Sequence, residues 1–216
     1  FQLHKGEIIG IAGLLGSGRT ELARALFGDT AITGGHILKD GREIRLHHPA
    51  DAIAAGIAYI PDDRKALGLF VEKTVSENIA AAKLQKGFYK ETDNNKASEL
   101  YKEQLAIKTP SVRQVIRKLS GGNQQKVVVA KWLGTEPDVL IINEPTHGVD
   151  VGAKADIYSI LKKLTKKGKS ILMISSELPE LLLLADRIAV MNTGNLQSIL
   201  NKDEATEENI TELTSA

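Results

Sequence analysis

The sequence predicts an α/β fold with a mainly parallel sheet flanked by helices, an antiparallel β part and a helical subdomain. Three observations predict it. Short aliphatic runs at 7–12, 57–60, 139–142 and 170–175 read as strands buried on both faces. Helical patterns alternate with several of them, and that alternation argues a parallel sheet covered on both sides. A glycine-rich turn, residues 13–20, follows the first run and opens a helix.

Taken in order, 7–12 is a strand that runs directly into glycines. Residues 20–27 form a short amphipathic helix that Gly28 can stop. Residues 36–39 and 43–46 read as a hairpin, because Asp40-Gly41 suits a tight primed turn. Residues 57–60 are another buried strand, ended by Pro61. From 74 to about 132 the pattern is mostly helical, with Gly87 and Pro110 as breakers. The alternation then resumes with a strand at 139–142, a helix at 153–166, a strand at 170–175, a helix at 178–184 and a strand at 187–191. A turn at Thr193-Gly194-Asn195 leads to a final strand at 196–200. Residues 202–216 are polar and acidic, and are expected as a loose terminal helix. No internal repeat or low-complexity segment is visible.

Composition narrows the classes. A chain of 216 residues supports one sizeable core. Hydrophobic content of 42% and charged content of 25% are those of an ordinary globular protein. A net charge of +1 gives no electrostatic argument for nucleic acid or a membrane surface. The absence of cysteine excludes a disulfide framework and thiolate-bound metal, and fits a cytosolic protein. The apolar stretches at 8–16 and 181–185 fall far below the roughly 18 residues of a membrane helix, and no signal-peptide pattern is seen. The chain begins at Phe1 inside a strand-and-turn pattern, so a fragment lacking its first strands is expected.

Three motifs carry chemistry. Gly13-Leu14-Leu15-Gly16-Ser17-Gly18-Arg19-Thr20 has the spacing of a phosphate-binding P-loop between a strand and a helix. Its glycines let backbone N–H groups turn toward phosphate oxygens, and the helix N-terminus adds its positive dipole end. Gly13, Gly16, Ser17, Gly18, Arg19 and Thr20 are the candidate nucleotide-binding residues, with the Thr20 hydroxyl placed for Mg²⁺. Arg19 stands where such loops carry lysine; it is cationic, but larger, forked and planar. The plain alternative is a glycine-rich turn of a doubly wound fold.

The second motif is Leu119-Ser120-Gly121-Gly122-Asn123-Gln124-Gln125-Lys126. Ser120 can cap the helix that follows, and paired glycines allow another backbone to approach closely. Such a helix start can bind the terminal phosphate of a nucleotide held by a different domain; its plain alternative is a helix cap with permissive glycines. The third is Leu140-Ile141-Ile142-Asn143-Glu144-Pro145-Thr146, a strand delivering Asn143 and Glu144 to the carboxyl edge of the sheet, where ligands of open α/β sheets bind. Glu144 has the chemistry to polarise a water. Asn143 is a neutral amide, a poor ligand for a hard dication.

In this order the motifs resemble those of ABC ATPases over nearly the whole chain. More narrowly, the chain is similar to the second of two fused ATPase halves in bacterial importers for monosaccharides and related solutes. Pro61-Asp62-Asp63-Arg64-Lys65 with Gly68-Leu69, the segment 119–126, and Gly148-Val149-Asp150-Val151-Gly152 carry that narrower resemblance. It implies a P-loop NTPase domain with an ATPase core at 1–73 and 134–200, a helical subdomain with the signature at 74–133, and a tail at 201–216.

The resemblance also implies roles and partners. ABC domains pair head to tail, each ATP lying between the P-loop of one and the signature of the other. Ser120, Gly121, Gly122 and Gln124 would then face a partner's ATP, Glu144 would be catalytic, and Asp150 would be the D-loop aspartate. Several positions depart from the family. The P-loop lysine is Arg19, the Mg²⁺ aspartate is Asn143, the Q-loop glutamine falls at Asp62 and the switch histidine at Ser176. His147 is read as a surface or interface residue. The adenine-stacking aromatic lies upstream of this chain in the family.

The expected function is therefore that of a transport ATPase half with ATP and Mg²⁺ as ligands. Its own site is degenerate, and it donates its signature to a partner. Expected partners are a second ABC half fused upstream, membrane permease subunits and, indirectly, a solute-binding protein, with no nucleic acid. The expected location is the cytoplasmic face of the membrane. The solute is left open between monosaccharides, nucleosides and autoinducer-type sugars. Two further readings remain: a soluble ABC ATPase of repair or translation, against which stand the lack of heptads and of a basic patch, and a regulatory module without turnover.

Overall fold

A computed structural model describes residues 1–83 and 91–215; Gly87, expected as a breaker, lies outside them. The strands are β1 (Ile8–Gly13), β2 (Ile37–Lys39), β3 (Arg42–Ile44), β4 (Ile57–Ile60), β5 (Val139–Asn143), β6 (Ser170–Ile174), β7 (Arg187–Asn192) and β8 (Asn195–Asn201). The α-helices are α1 (Arg19–Leu26), α2 (Pro49–Ala54), α3 (Val75–Ala81), α4 (Glu91–Gln104), α5 (Gly121–Leu133), α6 (Val151–Lys166), α7 (Leu178–Leu184) and α8 (Glu207–Ser215). A π-helical turn covers Arg64–Gly68 and a 3₁₀ turn Ile116–Lys118. The described chain divides into two compact units, one of residues 1–59, 137–144 and 162–216, the other of 60–136 and 145–161.

The first unit is built on a mixed sheet in the order β4-β5-β6-β1-β7-β8, with β2 and β3 as a separate antiparallel pair. β1 runs parallel to β6 and β7, and β5 runs parallel to β6. β8 runs antiparallel to its neighbour β7. The aliphatic runs explain the arrangement. Ile9, Ile11, Leu140, Ile141, Ile171, Met173 and Ile174 are all fully buried, and each such side chain removed from water stabilises the fold by about 1.5–3 kcal/mol. Parallel strands need both faces covered, and an alternating polar pattern would not tolerate that. Because β1, β5 and β6 are parallel, Gly13, Asn143 and the residues after Ile174 leave the sheet at one edge.

The turns follow their sequences. Asp40 and Gly41 both have positive φ, 51° and 75°, as a primed hairpin turn requires. Thr193 and Gly194, at 46° and 81°, close the β7–β8 hairpin in the same way. At the other end of the sheet, Arg187 clamps the buried Glu7 carboxylate, with Nε 2.6 Å from one oxygen and Nη2 3.1 Å from the other. That pairing, with the His4 amide, holds the Glu7 carboxyl below its usual range although burial pushes the other way.

Two elements differ from the sequence reading. Helix α2 was not expected. It is too short to show a period, but Pro49 at its first position and Asp51, whose Oδ2 accepts from the His47 and His48 amides at 2.9 and 3.0 Å, mark its start. The terminal helix is not loose. Ile210 of α8 is fully buried and Thr214 nearly so, and one anchored aliphatic residue per turn suffices to dock a polar helix.

The second unit is mostly helical. α3 starts with a reciprocal cap: Thr74 Oγ1 accepts the Glu77 amide at 3.1 Å, and Glu77 accepts the Thr74 amide at 2.8 Å. α5 is buried on almost every side, including the polar Gln124, Gln125 and Lys126. Lys126 is tolerated there because its ammonium reaches the Ala106 carbonyl at 3.0 Å and Asp156 at 2.9 Å. Among the described residues no helix is long and apolar enough to cross a membrane.

Candidate functional site

The first unit brings most of one expected site together. Gly18, with φ of 94°, is the residue before α1, and no side chain caps that helix. The first N–H groups of α1 belong to Arg19, Thr20 and Glu21, and helix geometry gives them no intrahelical carbonyl. Gly16 has φ of 80°, and a Cβ there would point into open space. Gly13 is closed instead, since a Cβ would lie 2.4 Å from Ser17 Oγ. That Ser17 hydroxyl is buried and has no hydrogen-bond partner. The loop itself is braced by Ser17 N–H to the Leu14 carbonyl and Gly194 N–H to the Ser17 carbonyl, at 3.1 and 3.0 Å. An uncapped helix start, an open glycine and an unpartnered hydroxyl make this loop a cradle chemically suited to an acceptor such as a phosphate oxygen.

Arg19 does not lie free in that cradle. It is 9% exposed and donates Nη1 to the Ser175 carbonyl at 2.9 Å, at the end of β6. Burial lowers its pKa and the nearby Glu144 opposes that shift. Glu144 sits at the carboxyl edge with φ of 52°, a left-handed conformation that costs a non-glycine residue energy. Its amide is held by the Ile174 carbonyl at 2.8 Å. Its carboxylate accepts the Ser176 hydroxyl at 3.1 Å. Burial pushes the Glu144 carboxyl up from its ordinary value, while Ser176 and Arg19 pull it back. Ser176, at the expected switch position, therefore holds the carboxylate by its hydroxyl. Next to it, Ser175 donates its own hydroxyl to the buried Glu180 and accepts the Glu177 amide at 3.1 Å.

Thr20 and Asn143, the pair expected at Mg²⁺, are neighbours. Asn143 is 2% exposed and turns its amide NH₂ to Thr20 Oγ1 across a long 3.4 Å. An NH₂ cannot coordinate a cation, and the oxygens the pair does offer, the Asn143 carbonyl and the Thr20 hydroxyl, are neutral and weaker ligands than a carboxylate. Among the described residues no cluster of three or more His, Asp or Glu side chains is placed to hold a metal. These two residues do not fit a resident Mg²⁺.

The second unit carries the other candidates. Ser120 precedes α5 and is exposed, but its hydroxyl does not cap the helix as the sequence suggested. It accepts the Asn123 side-chain NH₂ at 2.9 Å, while Asn123 Oδ1 takes the Lys108 amide at 2.7 Å. The α5 amides are left open as a result. Gly121 and Gly122 are the first two helical residues, and space forces both. A Cβ on Gly121 would lie 2.8 Å from Arg64 Nη2 and from the Gly148 carbonyl, and one on Gly122 2.4 Å from Ala153 Cβ. Gln124, expected at a partner's ATP, is a correction: it is buried and donates to the Ile116 and Leu119 carbonyls, each at 3.2 Å. Its place one turn into α5 points it back at the preceding 3₁₀ turn. Asp150 is exposed and caps α6 through the Ala153 amide at 3.0 Å. Asp62, half-buried, lies between β4 and the π-helical turn.

Arg64 is the organising residue that sequence reading quoted but gave no role. Its buried guanidinium donates to the His147 carbonyl and, at 2.8 Å, to the Gly148 carbonyl. It thus fixes 147–148 against the start of α5. The π-helical turn that carries it is capped by Asp63, which accepts the Lys65 and Ala66 amides at 2.9 Å each. His147 takes part through its backbone, not its exposed ring. Nothing local in the Asp-Asp-Arg string marked this role, since its partners lie 83 and 84 positions away.

A parallel sheet that delivers a glycine-rich loop, an Asn-Glu pair and a serine to one edge defines a P-loop type of nucleotide-binding protein. Residues 1–147 match the family model described as ABC transporter. The chain belongs to the ABC transporter family. It is 46% identical over 214 residues to a ribose import ATP-binding protein of Bacillus cereus, covering 97% of this chain and 43% of that protein. It is 49% identical over 218 residues to one of Clostridium perfringens, covering 99% and 44%. The chain thus spans less than half the length of these curated relatives. In fold it is similar to a nucleotide-free ATP-binding cassette from an ABC transporter, with a TM-score of 0.82 and 24% identity over 100% of this chain and 87% of the other. The ADP conformation of another cassette gives 0.83 at 24% identity over 100% and 90%.

Proposed function

We propose that this chain is one ATP-binding half of an ABC importer, coupling ATP binding and hydrolysis to uptake of ribose or a related monosaccharide at the cytoplasmic face of the membrane. Support for the solute class comes from the ribose import proteins to which it is 46% and 49% identical across almost its whole length. Its partners would be a second ABC half, permease subunits and, through them, a solute-binding protein.

The half is asymmetric in service. Its own site holds ATP phosphates on the Gly13–Thr20 loop but turns over slowly. The observation that carries this is Arg19 standing where such loops carry lysine, its Nη1 held by the Ser175 carbonyl 2.9 Å away. Glu144 remains the acid positioned to polarise water, and a serine rather than an imidazole steadies it. The Ser120–Gly122 helix start, with open amides and no cap, is suited to receive the terminal phosphate of ATP bound by the partner half. Phosphoryl transfer depends on positioning and charge stabilisation, so a donated helix start can be decisive.

Turnover of ATP by the 216-residue chain, measured over a wide range of protein concentration, tests the reading. The expected result is nucleotide binding without appreciable turnover at any concentration. Turnover that climbs steeply with concentration would mean a working homodimer, and the asymmetric reading would be wrong.

A further inference from the structure

We propose that the Gly13–Thr20 loop binds ATP without a protein-held Mg²⁺, so that its affinity for nucleotide does not depend on the metal. The inference rests on the reading that this loop binds nucleotide. It follows from the disagreement between the expected metal pair and the groups actually present.

Three observations point the same way. First, the side chain at the end of β5 is an amide, Asn143, 2% exposed, with its NH₂ toward Thr20 Oγ1 at 3.4 Å. It offers a neutral amide where Mg²⁺ would favour a carboxylate oxygen. Second, no group of three or more His, Asp or Glu side chains among the described residues is arranged to supply those ligands elsewhere. Third, a fixed cation is already built in: Arg19 is 9% exposed and is held by the Ser175 carbonyl beside Glu144.

The charge balance makes these observations one argument. A carboxylate at position 143 would repel metal-free ATP, and Mg²⁺ would be needed to reverse the sign. An amide removes that carboxylate's repulsion and its ligand, and leaves Glu144, whose charge Arg19 opposes. What remains for the triphosphate is Arg19 and the uncapped start of α1, with its unpaired N–H groups. Neither gains from a metal bound to the protein. Mg²⁺ that arrives on the nucleotide would neutralise phosphate charge and gain no anionic ligand from these two residues.

The test is a fluorescence titration of the 216-residue chain with an N-methylanthraniloyl-labelled ATP, in excess Mg²⁺ and in excess EDTA. Equal affinities, within about threefold or less than 0.7 kcal/mol, are expected. Asn143→Asp should weaken binding in EDTA and regain tenfold or more, about 1.4 kcal/mol, on adding Mg²⁺. Arg19→Ala, which does not touch residue 143, should weaken EDTA binding by at least tenfold. Binding by the wild-type chain only in Mg²⁺ overturns this inference and leaves the nucleotide-binding reading standing. Absence of binding in both conditions overturns both. An Asn143→Asp chain that binds equally in Mg²⁺ and EDTA removes residue 143 as the cause, and the inference with it.

Discussion

The phosphate loop and the start of α5 are both glycine-rich helix N-termini, yet they treat their polar groups in opposite ways. Around the loop, most polar side chains other than Ser17 have protein partners: Arg19 holds the Ser175 carbonyl, Ser176 holds Glu144, and Asn143 faces Thr20. At α5, side chains are committed away from the helix end: Ser120 takes Asn123, Gln124 turns inward, and Arg64 secures the 147–148 carbonyls. The amides at that end are what is left on offer. A site whose charged groups already have partners must break contacts to do chemistry. A site that is only a rigid backbone surface needs none, because its donors are fixed before a ligand arrives.

The largest expected effect breaks the comparison if it fails. Ser120 is exposed and its replacement disturbs no packing. Ser120→Glu places an anion at the helix start and should lower ATP turnover of the complete two-half protein about a hundredfold, the scale of losing a preorganised donor. Thermal unfolding should be unchanged; retained turnover would remove the signature from the mechanism.

Next is Arg64→Ala. It deletes the two bonds to the His147 and Gly148 carbonyls and removes a buried side chain. A loss of about 2 kcal/mol is expected, or about 4–8 °C in midpoint for a chain of this size. Arg64→Lys should recover only part, since one ammonium cannot reproduce the fork. A midpoint that does not move would mean that the start of α5 is not held rigid by this residue.

A smaller effect sharpens the other side. Burial raises the Glu144 pKa above its ordinary value of 4.5. The folded state therefore favours the protonated acid. The stability Glu144 contributes is fully present below pH 4.5 and is lost as pH rises through its folded pKa. Glu144→Gln should accordingly stabilise the fold at pH 7, with the advantage disappearing on acidification; denaturant midpoints at several pH values report it. A variant less stable than wild type at pH 7 would show that Ser176 and Arg19 outweigh burial. The smallest effect is His147→Ala. The ring is exposed, so stability should stay within about 0.5 kcal/mol, and a larger loss would mean that the ring, not the carbonyl, organises this corner.

The strands were legible because a parallel sheet writes itself as aliphatic runs, and β4 was bounded to the residue by Pro61. The hairpin at Asp40-Gly41 and the turn at Thr193-Gly194 were legible because few residues accept positive φ. α2 was missed because six residues make less than two turns, and no period can emerge from that. The anchoring of α8 by Ile210 was missed because two apolar residues, Ile210 and Leu213, in a short acidic segment are too few to set a period. Gln124 was misplaced for a related reason. The motif names it, but its direction depends on where the 3₁₀ turn before α5 puts its carbonyls.

By itself the sequence determined the kind of fold, the order of the motifs and the unusual residues Arg19, Asn143 and Ser176, because those are local spacings and side-chain chemistries. Only the tertiary structure decided what these residues do to one another. Arg19 meets the Ser175 carbonyl across 156 positions of sequence, Ser176 meets Glu144 across 32, and Arg64 meets Gly148 across 84. Such pairings are set by which strands lie side by side and how helices pack, and no local pattern in the chain records them.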